Sequence, residues 1–76
     1  MIDIYTSDTC PECKLAKEYL KENKIEYKEY NIFKNTEAKK KLIGMGYMSV
    51  PVLIIDEHHV LGFDLKRIEK ILKINK

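Results

Sequence analysis

Two cysteines separated by two residues are the side chains in this sequence best suited to carry chemistry. Cys10 and Cys13 form the sequence Cys-Pro-Glu-Cys, which lies directly before an apparent helix. Thiols at this spacing can close a disulfide with little movement of the backbone. The N-terminus of the helix stabilises a thiolate on the first of them. These features meet the physical requirement for thiol–disulfide exchange.

Hydrophobic patterning predicts the elements that position these cysteines. Short alternating or continuous apolar segments predict strands at 2–5, 26–32, 52–55 and 59–61. Pro11 suits the first position of a helix, and apolar residues at helical spacing extend that helix to about Asn23. The first strand therefore leads into the cysteine pair, and the first helix leads away from it.

Two further helices are indicated by caps and by apolar residues at helical spacing. Asn35 or Thr36 can cap the second helix, which is expected to stop at Gly44 or Gly46. The residues expected on the buried faces are Ala38, Leu42 and Ile43 in the second helix and Leu65, Ile68, Ile71 and Leu72 in the third. Lysines at 39–41 and along the last helix to Lys76 are interpreted as solvated faces.

The order β-α-β-α-β-β-α predicts one α/β domain over residues 1–76. A β-α-β start implies two parallel strands joined by a right-handed crossover. The turn at Asp56-Glu57-His58 implies an antiparallel hairpin after them. We therefore expect a four-stranded mixed sheet with helices on both faces.

The whole chain resembles the glutaredoxins, which are small members of the thioredoxin-fold superfamily. Three segments carry the resemblance: Cys10-Pro11-Glu12-Cys13 after the first strand, Ser49-Val50-Pro51 before the third, and Gly62-Phe63-Asp64 before the last helix. Each segment is a weak signal alone, whereas their order and spacing make a strong one. The resemblance implies a thioredoxin-like fold and a dithiol–disulfide oxidoreductase.

The resemblance also implies a role for each residue of the Cys-Pro-Glu-Cys segment. Cys10 would be the exposed nucleophile and Cys13 the resolving thiol, so that reduction of a disulfide leaves the two cysteines joined. Pro11 would stiffen the turn between them. Glu12 would border the bound substrate, and its charge opposes ionisation of Cys10. We expect catalysis to rest on the two cysteines, with Pro11 and Glu12 among the substrate-binding residues.

The other two segments would bind substrate. Pro51 resembles the family's cis-proline, which leaves the backbone of Val50 free to pair with an extended substrate. Gly62, Phe63 and Asp64 resemble the segment that holds the γ-glutamyl end of glutathione, with backbone N–H groups for its carboxylate and Asp64 for its ammonium. The alternative is that Asp64 only caps the last helix.

Departures from the glutaredoxin pattern leave the reductant open. Ser7 stands where glutaredoxins typically carry a lysine, and Glu12 stands where tyrosine is frequent. Lys14 and Lys34 are candidate substitutes for the missing cations that would grip the glycyl carboxylate of glutathione. We expect glutathione as co-substrate and no bound cofactor. The alternative is a redoxin-type electron donor to ribonucleotide reductase, recycled by thioredoxin reductase.

A metal-binding module is the alternative from another functional class. Cys10 and Cys13 have zinc-like spacing, and His58 and His59 could nominally add two ligands. Adjacent histidines in a strand point to opposite faces of the sheet, so we expect no zinc site. An iron–sulfur carrier of this family usually has a single active-site cysteine, and Cys13 argues against that role.

Composition limits the kinds of partner and the cellular compartment that we expect for this chain. The 76 residues are 45% hydrophobic and carry a net charge of +2, which is typical of one folded domain and gives no argument for nucleic-acid binding. No apolar run approaches the roughly 20 residues that span a bilayer. The N-terminus lacks the pattern of a signal peptide, so we expect a cytoplasmic monomer whose partners are disulfide-containing proteins and a reductant.

Overall fold

The computed structural model describes residues 2–72, and these form the seven elements in the order expected from the sequence. The elements are β1 (Ile2–Thr6), α1 (Pro11–Glu22), β2 (Tyr27–Asn31), α2 (Thr36–Gly44), β3 (Val52–Ile55), β4 (His58–Leu61) and α3 (Leu65–Leu72). Lys73 and Lys76 of the expected basic face lie outside the described residues. Among the helices described, none is long and apolar enough to cross a membrane.

The four strands form one mixed sheet in the order β2-β1-β3-β4. β1 pairs with β2 in parallel, while β3 pairs antiparallel with both β1 and β4. The expected thioredoxin-like sheet is confirmed. Tyr5 lies opposite Val52, and Val52 lies opposite Leu61, so the end of β1, the start of β3 and the end of β4 share one edge. The loops that carry the three sequence segments therefore begin or end at that edge.

Helices cover both faces of the sheet, as expected. The face under α1 and α3 is a buried cluster whose members are Ile2, Ile4, Ala16, Leu20, Leu53, Ile55, Val60 and Ile68. The face under α2 is a smaller cluster of Tyr5, Ala38, Leu42 and Val52. Neighbours in β1 and β3 alternate between the two clusters, because successive side chains in a strand point to opposite faces. Both central strands therefore contribute buried apolar side chains to both faces of the sheet.

Two of the apolar positions expected to be buried are exposed. Ile43 is 52% exposed, whereas Ala38 and Leu42, one turn apart, form the buried stripe of α2. Each residue of a helix is rotated by about 100° from the last, so Ile43 turns away from the sheet that Leu42 contacts. Leu65 is 39% exposed because it begins α3, ahead of the buried Ile68.

The hairpin between β3 and β4 is tighter than expected. His58 belongs to β4, so the turn consists of Asp56 and Glu57 rather than three residues. Asp56 has a φ of 56°, a left-handed conformation that the short side chain of aspartate tolerates better than most. This two-residue connection places β4 directly beside β3.

Candidate active site

The two cysteines are held at the N-terminus of α1. Cys10 is the N-cap, with an extended backbone (φ −108°, ψ 105°), and Pro11 occupies the start of the helix. Cys10 and Cys13 are joined by a disulfide, with their Cα atoms 5.3 Å apart. Cys13 is 1% exposed, whereas Cys10 is only half-buried. The sequence pattern therefore yields one accessible and one enclosed sulfur.

The sulfur of Cys10 occupies the position of a helix-capping oxygen. Its Sγ accepts a hydrogen bond from the backbone N–H of Cys13 at 3.0 Å. In the reduced state, a negative charge at this Sγ would meet that donor and the positive end of the helix dipole, and the dipole alone contributes about 0.3–1 kcal/mol. The geometry thus favours a thiolate at Cys10 rather than at the enclosed Cys13.

The proline loop lies beside the disulfide. The Val50–Pro51 peptide is cis, as the resemblance implied. Pro51 is buried, while Val50 is half-buried and shares a cleft with Cys10. The carbonyl oxygen of Pro51 accepts a hydrogen bond from the N–H of Gly62 at 2.8 Å. This bond joins the second sequence segment to the third.

Glu12, in the first sequence segment, lies beside Gly62 of the third. Gly62 has a φ of +77°, and a Cβ placed there would lie 3.7 Å from Oε1 of Glu12. The carboxylate between the two cysteines therefore lies against the loop that follows β4. The fold brings together all three segments that were singled out in the sequence.

Phe63 and Asp64 have structural contacts of their own. The ring of Phe63 packs against Tyr19 of α1, with 6.2 Å between the ring centroids. Oδ1 of Asp64 accepts a hydrogen bond from the N–H of Arg67 at 3.2 Å, which is the geometry of an N-cap. Asp64 thus caps α3.

Two clefts meet at Cys10. The larger, of about 750 Å³, runs from the disulfide between α1 and β2, and Cys13 also lines it. The smaller, of about 380 Å³, lies toward Glu12 and Val50. Neither cleft is lined by Phe63 or Asp64. A substrate chain that crosses Cys10 can therefore occupy a depression on each side of it.

A polar network in the wall of the larger cleft was not anticipated from the sequence. The hydroxyl of the buried Thr6 donates to Oε2 of Glu29 at 2.7 Å, and Nζ of Lys17 lies 2.9 Å from the same oxygen. Burial would raise the pKa of Glu29, but these hydrogen bonds and the charges of Lys17 and Lys21 outweigh it and lower that pKa. The only sequence signal was a threonine in an otherwise apolar strand end.

The histidines considered as metal ligands lie in the edge strand β4. Nδ1 of His59 is hydrogen-bonded to the hydroxyl of Tyr47 at 2.6 Å, and the two rings meet edge to face. His58 is exposed on the same strand. Within residues 2–72, no group of three or more histidine, cysteine, aspartate and glutamate side chains is placed to hold a metal ion.

Comparison with known proteins identifies sequences that are similar to most of this chain. The glutaredoxin family model matches residues 2–60. An uncharacterised glutaredoxin-like 8.6 kDa protein in the rubredoxin operon of Clostridium pasteurianum is 35% identical, over 96% of this chain and 99% of that protein. The glutaredoxin-like protein NrdH of Lactococcus lactis is 32% identical, over 93% and 99%. Glutaredoxin 3 of Escherichia coli is 34% identical, over 83% and 77%.

Solved structures agree with the sequence matches. The thioredoxin-like protein BC3987 superimposes with a TM-score of 0.87 at 32% identity, over 93% of this chain and 99% of that one. The glutaredoxin grx-1 from Archaeoglobus fulgidus gives a TM-score of 0.81 at 29% identity, over 95% and 85%. The fold and the sequence therefore point to the same family.

Proposed function

The chain belongs to the glutaredoxin family and is a thiol–disulfide oxidoreductase, and we propose that it reduces protein disulfides and glutathione mixed disulfides with Cys10 as nucleophile and Cys13 as resolving thiol. One observation carries the assignment of roles. Sγ of the half-buried Cys10 accepts a hydrogen bond from the Cys13 N–H at the helix N-terminus, whereas Cys13 is enclosed. An incoming disulfide can reach the first sulfur more readily than the second, which is enclosed beside it.

The proposed cycle transfers two electrons. The Cys10 thiolate attacks one sulfur of the substrate disulfide, forms a mixed disulfide and releases the other sulfur as a thiolate. Cys13 then loses its proton and attacks Sγ of Cys10, which releases the second substrate thiol. The chain is left with the Cys10–Cys13 disulfide, the state that the structure describes. An external thiol or reductase returns the two electrons.

Single cysteine variants test these roles. Cys10→Ser should abolish turnover of both protein disulfides and glutathione mixed disulfides, because no accessible thiolate remains. Cys13→Ser should lose turnover of protein disulfides while keeping a one-cysteine reaction on glutathione mixed disulfides. Appreciable turnover by Cys10→Ser would contradict the proposed roles.

Glutathione is the first candidate reductant. The Gly62–Asp64 segment supports it by its position beside the dithiol, because the Gly62 N–H donates to Pro51 of the proline loop and Glu12 lies against the same glycine. Asp64 can both cap α3 and form an ion pair with the ammonium group of glutathione. Asp64→Asn separates these functions, since asparagine caps a helix as well as aspartate does but carries no charge. If Asp64 contacts glutathione, this variant should keep its stability and lose turnover with glutathione.

Thioredoxin reductase is the second candidate, and with it a role as a redoxin-type electron donor to ribonucleotide reductase. Ser7 favours it, because this uncharged residue lines both clefts at the position where glutaredoxins typically carry a lysine. The chain also matches the NrdH protein of Lactococcus lactis over 99% of the length of that protein.

Two coupled assays distinguish the reductants. The oxidised protein would be offered glutathione with glutathione reductase, or NADPH with thioredoxin reductase. Fast reduction only by glutathione would support the tripeptide site at Gly62–Asp64, and fast reduction only by thioredoxin reductase would support the redoxin role. Either result is compatible with a reducing, cytoplasmic setting. We propose this as the working compartment, because a Cys-x-x-Cys pair in such a compartment cycles between dithiol and disulfide rather than serving as a fixed crosslink.

A further inference from the structure

The larger cleft at Cys10 contains four lysines that the proposed chemistry does not use. Lys14, Lys17 and Lys21 are spaced by three and four residues along α1, which places them on one face of the helix. Lys34, which follows β2, lines the same cleft. The row of ammonium groups begins beside the disulfide and continues along the groove between α1 and β2. We call this cleft the lysine groove.

Within the described residues, three of the four lysines of the lysine groove form no ion pair. Among the residues that the structure describes, Lys17 and Glu29 form the only ion pair, at 2.9 Å. Asp8 and Glu18 also line the groove, and Asp8 accepts a hydrogen bond from Asn31 at 2.7 Å. The other three lysines therefore face two carboxylates. The groove keeps an excess of positive charge next to the reactive sulfur.

The charge changes sign across Cys10. The smaller cleft on the other side is lined by Ser7, Thr9, Cys10, Pro11, Glu12 and Val50, so Glu12 is its one charged residue. A substrate chain that lies in both clefts therefore meets a single carboxylate on one side of its cystine. On the other side it meets a groove in which four lysines outnumber three carboxylates. Only one end of such a substrate can be acidic without repulsion.

We propose that the lysine groove binds an acidic segment on one side of the reactive cystine in protein substrates, with Lys14, Lys21 and Lys34 as specificity-determining residues. This inference rests on the proposed function and adds the substrate class to it. Exposed pairs of lysine and carboxylate contribute modestly, and several of them should raise kcat/KM by about fivefold at low salt. The gain should fall as added salt screens the charges.

Disulfide-linked peptides with one sequence and different flanks test the proposal. One peptide carries aspartates before its cysteine, a second carries them after it, and a third carries serines at both places. The unaltered chain should reduce one of the two acidic peptides faster than the neutral peptide. Preference for neither acidic peptide at low salt would overturn the inference.

Matched charge variants locate the effect. Lys14→Gln with Lys34→Gln removes two charges from the groove, and the control Lys39→Gln with Lys66→Gln removes two from exposed positions on α2 and α3. The groove pair should abolish the preference and the control pair should keep it. Equal loss in both would indicate general charge steering and contradict the proposal. A second outcome would also contradict the proposal: the groove pair keeps the peptide preference but is reduced more slowly by glutathione. The groove would then bind glutathione rather than an acidic peptide segment.

The neutral peptide separates this inference from the proposed function. Its turnover depends on the dithiol and not on acidic flanks, so it reports thiol–disulfide exchange alone. If the unaltered chain turns over none of the peptides, the proposed function fails together with the inference. If it turns over all three equally, only the inference fails.

Discussion

Replacement of Gly62 by alanine should destabilise the protein even though the new methyl group has room. The added Cβ would lie 3.7 Å from Glu12 Oε1, an ordinary contact, but the φ of Gly62 is +77°. A residue with a Cβ in this left-handed region costs about 1–2 kcal/mol. The same substitution removes freedom from the unfolded chain, which favours the folded state by about 0.4–1 kcal/mol. The expected net effect is a loss of about 1 kcal/mol.

A second glycine provides the matched control. Gly44 ends α2 with no positive φ, and a Cβ there would have nothing within 4 Å. Gly44→Ala carries the same unfolded-state gain without the strain, so it should stabilise the protein. The difference between the two variants isolates the strain at Gly62, at about 1–2 kcal/mol. Gly46→Ala, with a φ of +90° and open space around its Cβ, should behave like Gly62→Ala.

Urea unfolding of the oxidised protein measures these differences. A change of 1 kcal/mol corresponds to about 4–8 °C in Tm for a domain of this size, so thermal melts serve as an independent check. If Gly62→Ala were as stable as Gly44→Ala, the assignment of strain to the backbone at Gly62 would be refuted. A loss confined to Gly62→Ala, with Gly46→Ala unaffected, would show that the contact with Glu12 and not φ sets the cost.

Three further substitutions test the polar network, the cap and the core. Glu29→Gln should cost about 1 kcal/mol at neutral pH. This is less than the roughly 1.5–3 kcal/mol of a buried charged hydrogen bond, because about a third of each side chain of the Lys17–Glu29 pair is exposed. The pKa of Glu29 is lower in the folded protein than in the unfolded chain, so the loss of stability should have its full size above the unfolded-state pKa of about 4.3. The loss should disappear as the pH falls through the folded-state pKa. Urea unfolding at several pH values would detect this change. Asp64→Ala should lower the free energy of unfolding by about 1 kcal/mol, because the helix cap is lost. If urea unfolding showed an equal loss of stability in Asp64→Asn, capping would be excluded as the cause, since asparagine also caps helices. Leu53→Ala should cost about 2–5 kcal/mol because Leu53 is fully buried, and a loss below 1 kcal/mol in the same assay would contradict its place in the core.

Local sequence rules predicted the position of Cys10 and Cys13 at the start of α1. Pro11 fixed the start of α1, and that start placed Cys10 at the N-cap without reference to the rest of the fold. The element order followed from apolar spacing in the same way. The cis peptide at Pro51 required more, because no local rule distinguishes it from a trans bond, and only the resemblance to glutaredoxins indicated it.

Features that depend on packing between elements could not be predicted from the sequence. Ile43 and Leu42 are adjacent and equally apolar, and only the placement of α2 on the sheet decides which is buried. The approach of Glu12 to Gly62 joins residues that are distant in sequence. The three lysines of α1 were not singled out as a row from the sequence, because the groove that they line exists only where the crossover places β2 beside that face of the helix.

The most direct test of the account is to identify which cysteine forms the first bond with a substrate. Reduced Cys13→Ser and Cys10→Ser would each be mixed with a disulfide peptide, and the adducts would be located by mass spectrometry of proteolytic fragments at successive times. The account predicts rapid formation of a stable mixed disulfide on Cys10 of Cys13→Ser and a far slower adduct on the enclosed Cys13 of Cys10→Ser. Faster labelling of Cys13 would contradict the assignment of nucleophile and resolving thiol.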